Sequence, residues 1–254
     1  MIRNFLTSLV LLVIPVSVVI NALPASAALH QHRRRSGPAP GAVVYTCATP
    51  KTFALTFDDG PGPYEDELLN QLDRLGVKAT FFVNGDNAGS LDDPALAARV
   101  QRAYKTGHQI ASHTYSHADL TKIGPSQVRS EMTQLEGQLK RIIGVRPTYM
   151  RPPYGSTNGQ VLGIMRELGY RVVNWDIDTN DWRHPNDAEA SLNTVRGALR
   201  GRSRGEPGII LSHSTMPSTA HNFVTNAVQA IRAKGYRLVR IDECLGDPNG
   251  AYRQ

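Results

Sequence analysis

The chain has 254 residues and a formal net charge of +6, a length that suits one large domain with a sizeable core. Residues 1–40 hold four arginines and no acid, so the remainder carries a charge of only +2. That balance removes the main electrostatic argument for a nucleic-acid partner, and none is expected.

Arg3, an apolar run from Phe5 to Ile20 and Ala25-Ser26-Ala27 follow the layout of a secretory signal: a basic end, an apolar stretch, a small-x-small cleavage site. Residues 1–27 are therefore expected to be a signal peptide cut after Ala27. An uncleaved anchor is the alternative, although Pro15 interrupts a run shorter than the roughly 20 residues a spanning helix needs. Residues 28–46 are basic and Pro-rich and are expected to form a flexible tail. In it, Arg33 to Arg35 are either a processing site or part of the linker. The folded domain is expected over residues 47–247, followed by a short C-terminal tail, 248–254, that offers no lipid-anchor signal. Cys47 and Cys244 stand near the two ends of the domain. In an oxidising compartment such a pair is expected to be a disulfide, with two buried thiols as the alternative.

Within the domain, short β-branched or apolar runs alternate with amphipathic helical stretches. Phe53–Phe57 predicts a strand that ends at the breaker cluster Asp58-Asp59-Gly60-Pro61-Gly62-Pro63. A helix over Asp66–Leu75 and a strand over Ala79–Val83 follow. Pro94–Tyr104 predicts a helix with proline in its first turn, and Gln109–Ser112 a short strand. Val128, Met132, Leu135, Leu139 and Ile142 recur at helical spacing over Ser126–Ile143. Further strands are predicted at Tyr149–Arg151, Arg171–Ile177, Ile209–Ser212 and Arg237–Ile241. Helices are predicted at Gln160–Leu168, Ala188–Leu199 and His221–Ala233. This alternation predicts an α/β fold, a distorted (β/α) barrel with about seven parallel strands; a doubly wound open sheet is the alternative. No GxGxxG or GxxxxGK[ST] follows a strand, so no nucleotide site is expected.

The chemically capable residues cluster just after predicted strands: Asp58 and Asp59, His113 and His117, Arg151, Asp178 and Asp181, then His213. In a barrel those strand ends open onto one face. His113 and His117 have i, i+4 spacing, which predicts two imidazoles on one side of a helical turn. Two histidines and a carboxylate would leave an open position on a zinc-like ion, as a catalytic site needs. Adjacent Asp58 and Asp59 point in different directions at a strand end, so one can bind metal while the other serves as a base. His213 has the pKa range of a general acid. Taken singly, each group also has a plain structural explanation as turn former, surface pair or core histidine.

Together the segments Thr56-Phe-Asp-Asp-Gly60, His113-Thr-Tyr-Ser-His117, Arg151-Pro-Pro-Tyr-Gly155, Asp178-Thr-Asn-Asp-Trp182 and Leu211-Ser-His213 resemble the ordered motifs of the polysaccharide deacetylases of carbohydrate esterase family 4. The resemblance implies a distorted barrel and metal-dependent hydrolysis of acetyl groups. It implies Asp58 as base, Asp59, His113 and His117 as metal ligands, and Arg151 as the residue orienting the base. It also implies an oxyanion contact from the Tyr154 N–H, Asp181 tuning His213 as acid, Trp182 shaping the groove, and Leu211 lining the acetyl pocket. The implied cofactor is Zn2+, with Co2+ or another divalent ion as alternatives. Lys78–Gly85 and Gly235–Asp247 are most similar to fungal chitin deacetylases. A secreted or wall-associated monomer acting on chitin or chitooligosaccharides is therefore expected. Acetylated xylan or peptidoglycan are the alternative substrates, and a non-catalytic carbohydrate-binding homologue the alternative function.

Overall fold

A computed structural model describes residues 37–254; the expected signal peptide, its cleavage point and the Arg33–Arg35 tract lie outside the described residues. Among the described residues no helix is long and apolar enough to cross a membrane.

The strands are β1 (Val43–Val44), β2 (Thr52–Gly60), β3 (Thr80–Val83), β4 (Gln109–Ser112), β5 (Arg146–Pro147), β6 (Tyr149–Met150), β7 (Arg171–Val173), β8 (Ile177–Asp178), β9 (Gly208–His213), β10 (Arg237–Val239) and β11 (Tyr252–Arg253). Nine of them form one sheet in the order β1-β7-β6-β4-β3-β2-β9-β8, with β10 also pairing to β2. Every pair in this sheet is parallel, and the sheet curls into a half-barrel. The helices are α1 (Glu65–Leu75), α2 (Pro94–Lys105), α3 (Pro125–Ile143), α4 (Gly159–Leu168), α5 (Ala188–Gly201), α6 (Val224–Ala233) and the short α7 (Ile241–Cys244).

Period-two alternation in β2 explains how the sheet carries both a core and a site. Phe53, Leu55 and Phe57 pack in the cluster that includes Leu68, Leu72 and Val228 of the helices. Ala54 packs inside the barrel with Phe82, Ala111 and Ile209, and the same inward phase carries Thr56 and Asp58. In β9, Ile209 faces inward and Ile210 outward, so Leu211 and His213 follow the inward phase. The helix ends follow local chemistry: Asp93 accepts from Ala95 N–H at the start of α2, and Gly76, at φ 60, ends α1. A residue with a Cβ is strained in that left-handed conformation.

The parallel α/β barrel matches expectation, but four strands arise that the sequence pattern does not separate out: β1, β5, β8 and β11. The strand predicted over Arg171–Ile177 is two, lying toward opposite ends of the sheet. After β7 the chain crosses the open side of the barrel, where Asp176 accepts from Ile209 N–H at 2.7 Å, and only then enters β8. The expected tail over residues 28–46 also differs in its described part. Val43 and Val44 pair with Val172 and Val173, and Gly41 N–H donates to Tyr170 O at 2.8 Å. An open edge on β7 would leave a row of unpaired backbone groups, and β1 satisfies them. The expected tail over 248–254 contains β11, antiparallel to β5, and the Tyr252 hydroxyl accepts from Ile110 N–H at 2.8 Å.

Cys47 and Cys244 are disulfide-bonded, 197 residues apart, and both are buried. Closing so long a loop restricts the unfolded chain strongly. Cys47→Ser with Cys244→Ser is expected to cost about 4 kcal/mol, read as a lower midpoint in denaturant with a steeper slope, because the unbridged denatured chain is more expanded. An unchanged midpoint would contradict this.

Candidate metal centre and active site

The groups predicted from strand ends do converge. Strand β2 ends irregularly: its register against β3 shifts between Phe57 and Gly60, and Asp59 adopts φ 69. That local turn separates the two carboxylates. Asp58 is buried at 2 % exposure and points at Arg151, while Asp59 turns toward the histidines.

Arg151 is wholly buried. Its guanidinium donates to Asp58 Oδ1 at 2.7 Å, Thr56 Oγ1 at 2.8 Å, Val173 O at 3.1 Å and Asn174 O at 3.1 Å. The ring of Phe82 lies 4.2 Å from its central carbon. Burial lifts the pKa of Asp58 above the ordinary carboxylate value, with Arg151, His213 and His117 restraining the rise. Desolvation is thus a larger influence on this carboxyl than its ion pair, and leaves it a stronger base than an exposed aspartate.

His113 and His117 do not lie on a helical turn. They occupy a bent loop after β4 in which Thr114 and His117 take φ 71 and 58; i, i+4 spacing fits any compact turn that returns on itself. His113 Nδ1–H donates to Arg151 O at 2.7 Å, which leaves the Nε2 lone pair free for a ligand. Burial pulls its pKa down to about 3, so the ring is neutral. Nε2 of His113 and of His117 lie 3.5 and 3.3 Å from Asp59 Oδ1. That oxygen is buried without a hydrogen-bond partner. The three ligand atoms sit within 4.8 Å of one another. Two imidazole nitrogens around an unsatisfied carboxylate oxygen form a donor set that fits a divalent cation of zinc type.

Across the site, His213 follows Leu211 in β9, and its Cα is in register with that of Asp58 on β2. Its Nδ1–H donates to Asp181 Oδ1 at 2.7 Å and its backbone N–H to Asp181 Oδ2 at 2.7 Å. Burial alone would lower its pKa. The hydrogen bond and charge of Asp181, helped by Asp58 and Asp59, outweigh burial and raise it to about 9. Asp181 is itself buried, yet its pKa falls below the ordinary value, because donors from His213 and Thr219 overcome desolvation.

A cavity of about 390 Å³ joins these groups; Tyr154, Trp182 and Leu211 line it, as do Asp178, Pro152 and Trp175. Tyr154 is exposed, at φ 61, with its ring edge-on to His117 at 4.8 Å. Holding a tyrosine there costs about 1 kcal/mol or more. Trp182 is exposed, and Arg183 lies 4.6 Å over its ring.

Sequence reasoning missed Trp175, Thr56 and Thr219. Trp175 fell inside the strand predicted over Arg171–Ile177, yet it sits on the crossing between β7 and β8 and lines the cavity. Thr56 donates to Ile210 O at 2.6 Å and accepts from Arg151; the inward phase of β2 was the available signal. Thr219 has no motif around it.

Residues 46–173 match the family model for polysaccharide deacetylases. A chitin deacetylase of Pestalotiopsis sp is 45% identical over 235 residues, covering 92% of this chain and 76% of that protein. A probable peptidoglycan-N-acetylglucosamine deacetylase of Arthroderma benhamiae is 41% identical, over 82% of this chain and 47% of its own length. The solved structure of the chitin deacetylase from the fungal pathogen Colletotrichum lindemuthianum superposes with a TM-score of 0.80 at 34% identity, over 85% of this chain and 97% of that one. The chain belongs to the polysaccharide deacetylase family and is a hydrolase of that family.

Proposed function

We propose that this enzyme hydrolyses the N-acetyl groups of N-acetylglucosamine residues in chitin or chitooligosaccharides, with Asp58 as base and His213 as acid. The observation that carries the reading is the pairing of a buried carboxylate and a carboxylate-held imidazole, Asp58 and His213, in register on neighbouring strands beside the Asp59, His113 and His117 cluster. A divalent ion held by those three residues, zinc in our reading, supplies Lewis acidity toward the acetamide carbonyl and the attacking water.

Asp58, kept basic by burial and fixed by Arg151, accepts a proton from the water as it adds to the carbonyl carbon. The Tyr154 backbone N–H donates to the oxygen on which charge develops. His213, protonated and held through Nδ1 by Asp181, presents Nε2–H to the cavity and gives that proton to the amine nitrogen. The C–N bond breaks and acetate and the free amine leave. Leu211 forms a wall for the acetyl methyl, and Trp182 and the exposed Tyr154 face extended sugar. A secreted or wall-associated monomer suits the disulfide and the polymer substrate.

The acid must be protonated, so the alkaline limb of activity is expected near the His213 value of about 9. Asp181→Asn keeps the shape but removes the charge. It is expected to move that limb toward the ordinary histidine value near ~6.5 and so to lower activity at pH 8 roughly thirtyfold, the loss in protonated acid. A raised pKa also means that the ion pair stabilises the fold fully below the unfolded value, with that contribution lost as pH rises through about 9. A pH–rate profile unchanged by Asp181→Asn would contradict this assignment.

The similarity to a probable peptidoglycan-N-acetylglucosamine deacetylase favours a second reading on the same sugar unit. Acetate release from chitin pentamer, peptidoglycan fragments and acetylated xylan, compared at equal acetyl concentration, separates the substrates. The chitin oligomer is expected to react fastest; release confined to xylan would overturn amide specificity, and release confined to peptidoglycan would overturn the chitin reading.

A further inference from the structure

Asp181 is buried at 0 % exposure and its two oxygens receive four donors. Oδ1 takes His213 Nδ1–H at 2.7 Å and Trp182 N–H at 3.0 Å. Oδ2 takes His213 N–H at 2.7 Å and the Thr219 hydroxyl at 2.6 Å. Apart from the imidazole, Thr219 is the only side chain among those donors, and it too is fully buried.

The backbone around Thr219 is unusual. Thr219–Phe223 forms a π-helical turn that runs directly into α6. Such turns insert one extra residue into a helix and recur at functional sites. Here the turn is pinned on two sides. Ser218 N–H donates to Pro185 O at 3.0 Å, in the loop that follows Asp181, and the Gln71 side chain of α1 donates to Ala220 O. The hydroxyl is therefore held in place before any substrate arrives, as a supporting contact must be to fix the geometry of a reacting group.

We propose that Thr219 is a positioning residue for proton donation by His213, acting through Asp181. This inference rests on the assignment of His213 as the acid. The groups facing the imidazole are Asp181, Asp58 and Asp59, and of these only Asp181 bonds to the ring nitrogen. A buried carboxylate deprived of one donor has an unmet lone pair, and buried polar atoms tolerate that poorly. It either rotates toward its remaining donors or takes up a proton. The first misaligns the bond to Nδ1 and the second removes the charge. Both weaken the hold on the imidazolium, so both make His213 a stronger acid that is lost at lower pH.

The test compares Thr219→Val, which keeps the shape and removes the hydroxyl, with Thr219→Ser, which keeps the hydroxyl. Thr219→Ala serves the same comparison if valine is not accommodated. Two readouts are taken on the zinc-loaded full chain: NMR titration of the His213 ring, and the pH profile of kcat and KM on chitin pentamer. In Thr219→Val the ring is expected to titrate toward the ordinary histidine value. Its kcat is expected to fall roughly tenfold, with KM little changed and the alkaline limb displaced to lower pH. Thr219→Ser is expected to restore both. His213 titrating in Thr219→Val as it does in the parent, or Thr219→Ser failing as fully as valine, would overturn the proposal. The titration needs no turnover. A parent that releases no acetate therefore refutes the deacetylase reading, while the ring titration still decides whether Thr219 acts on His213.

Discussion

Asp58→Asn is expected to lower acetate release by roughly two to four orders of magnitude, the usual loss when a positioned base is removed, while leaving metal content unchanged. The substitution keeps the shape of the side chain and a carbonyl oxygen toward Arg151 Nη1, now 2.7 Å from Asp58 Oδ1. It removes the capacity to take a proton. The metal cluster lies beside Asp58, with His113 Nε2 3.7 Å from Asp58 Oδ2, but the buried oxygen between the two histidines that lacks a hydrogen-bond partner belongs to Asp59. Activity and metal content should therefore come apart in this variant. Metal lost together with activity would mean that Asp58 is a ligand. Activity retained within tenfold of the parent would mean that it is not the base.

Arg151→Met is expected to be the most damaging substitution for the fold. It removes a guanidinium at 0 % exposure and leaves a buried carboxylate without its counter-charge, along with the Val173 and Asn174 carbonyls without their donor. Breaking one side of a buried pair costs about 3–5 kcal/mol, or a drop in melting temperature of about 10 °C or more for a domain of this size. Burial already raises the pKa of Asp58. Without Arg151 the carboxyl rises further, so residual activity is expected only at higher pH. Arg151→Lys keeps the charge but lacks the planar fork that reaches Asp58, Thr56 and both carbonyls at once, and should fall between methionine and the parent. A melting temperature unchanged in Arg151→Met would contradict this account of the core of the site.

How much of this was legible beforehand depended on which physical signal each feature leaves in a sequence. Strands such as Gln109–Ser112 and helices such as Pro125–Ile143 are long enough to show a period, and they form where the pattern puts them. The two-residue strands at the edges leave none. Val43–Val44 and Tyr252–Arg253 form because neighbouring strands offer unpaired backbone groups, a tertiary cause invisible in local pattern. The split of Arg171–Ile177 has the same origin: one apolar run serves two places in the sheet because the chain crosses the barrel opening in between.

The candidate site was more legible than the fold boundaries, because parallel strands all deliver their C-terminal ends to one face. Convergence of Asp59, His113 and His117 needed only that topology. The loop geometry did not follow: the histidine spacing suggested a helical turn, whereas left-handed residues at Thr114 and His117 make the approach. Residues acting through another residue were the least legible. Thr219 carries an ordinary hydroxyl six positions beyond His213, and only the folded chain brings it to Asp181 Oδ2.

The central claim is a hydrolase whose turnover depends on a cation held by Asp59, His113 and His117. The most direct measurement is acetate release from chitin pentamer by the purified chain, before chelation, after chelation, and after return of stoichiometric zinc. The account predicts release that stops with chelator and resumes with zinc, and that Asp59→Ala abolishes both zinc uptake and resumption. Undiminished release from fully chelated enzyme would contradict it.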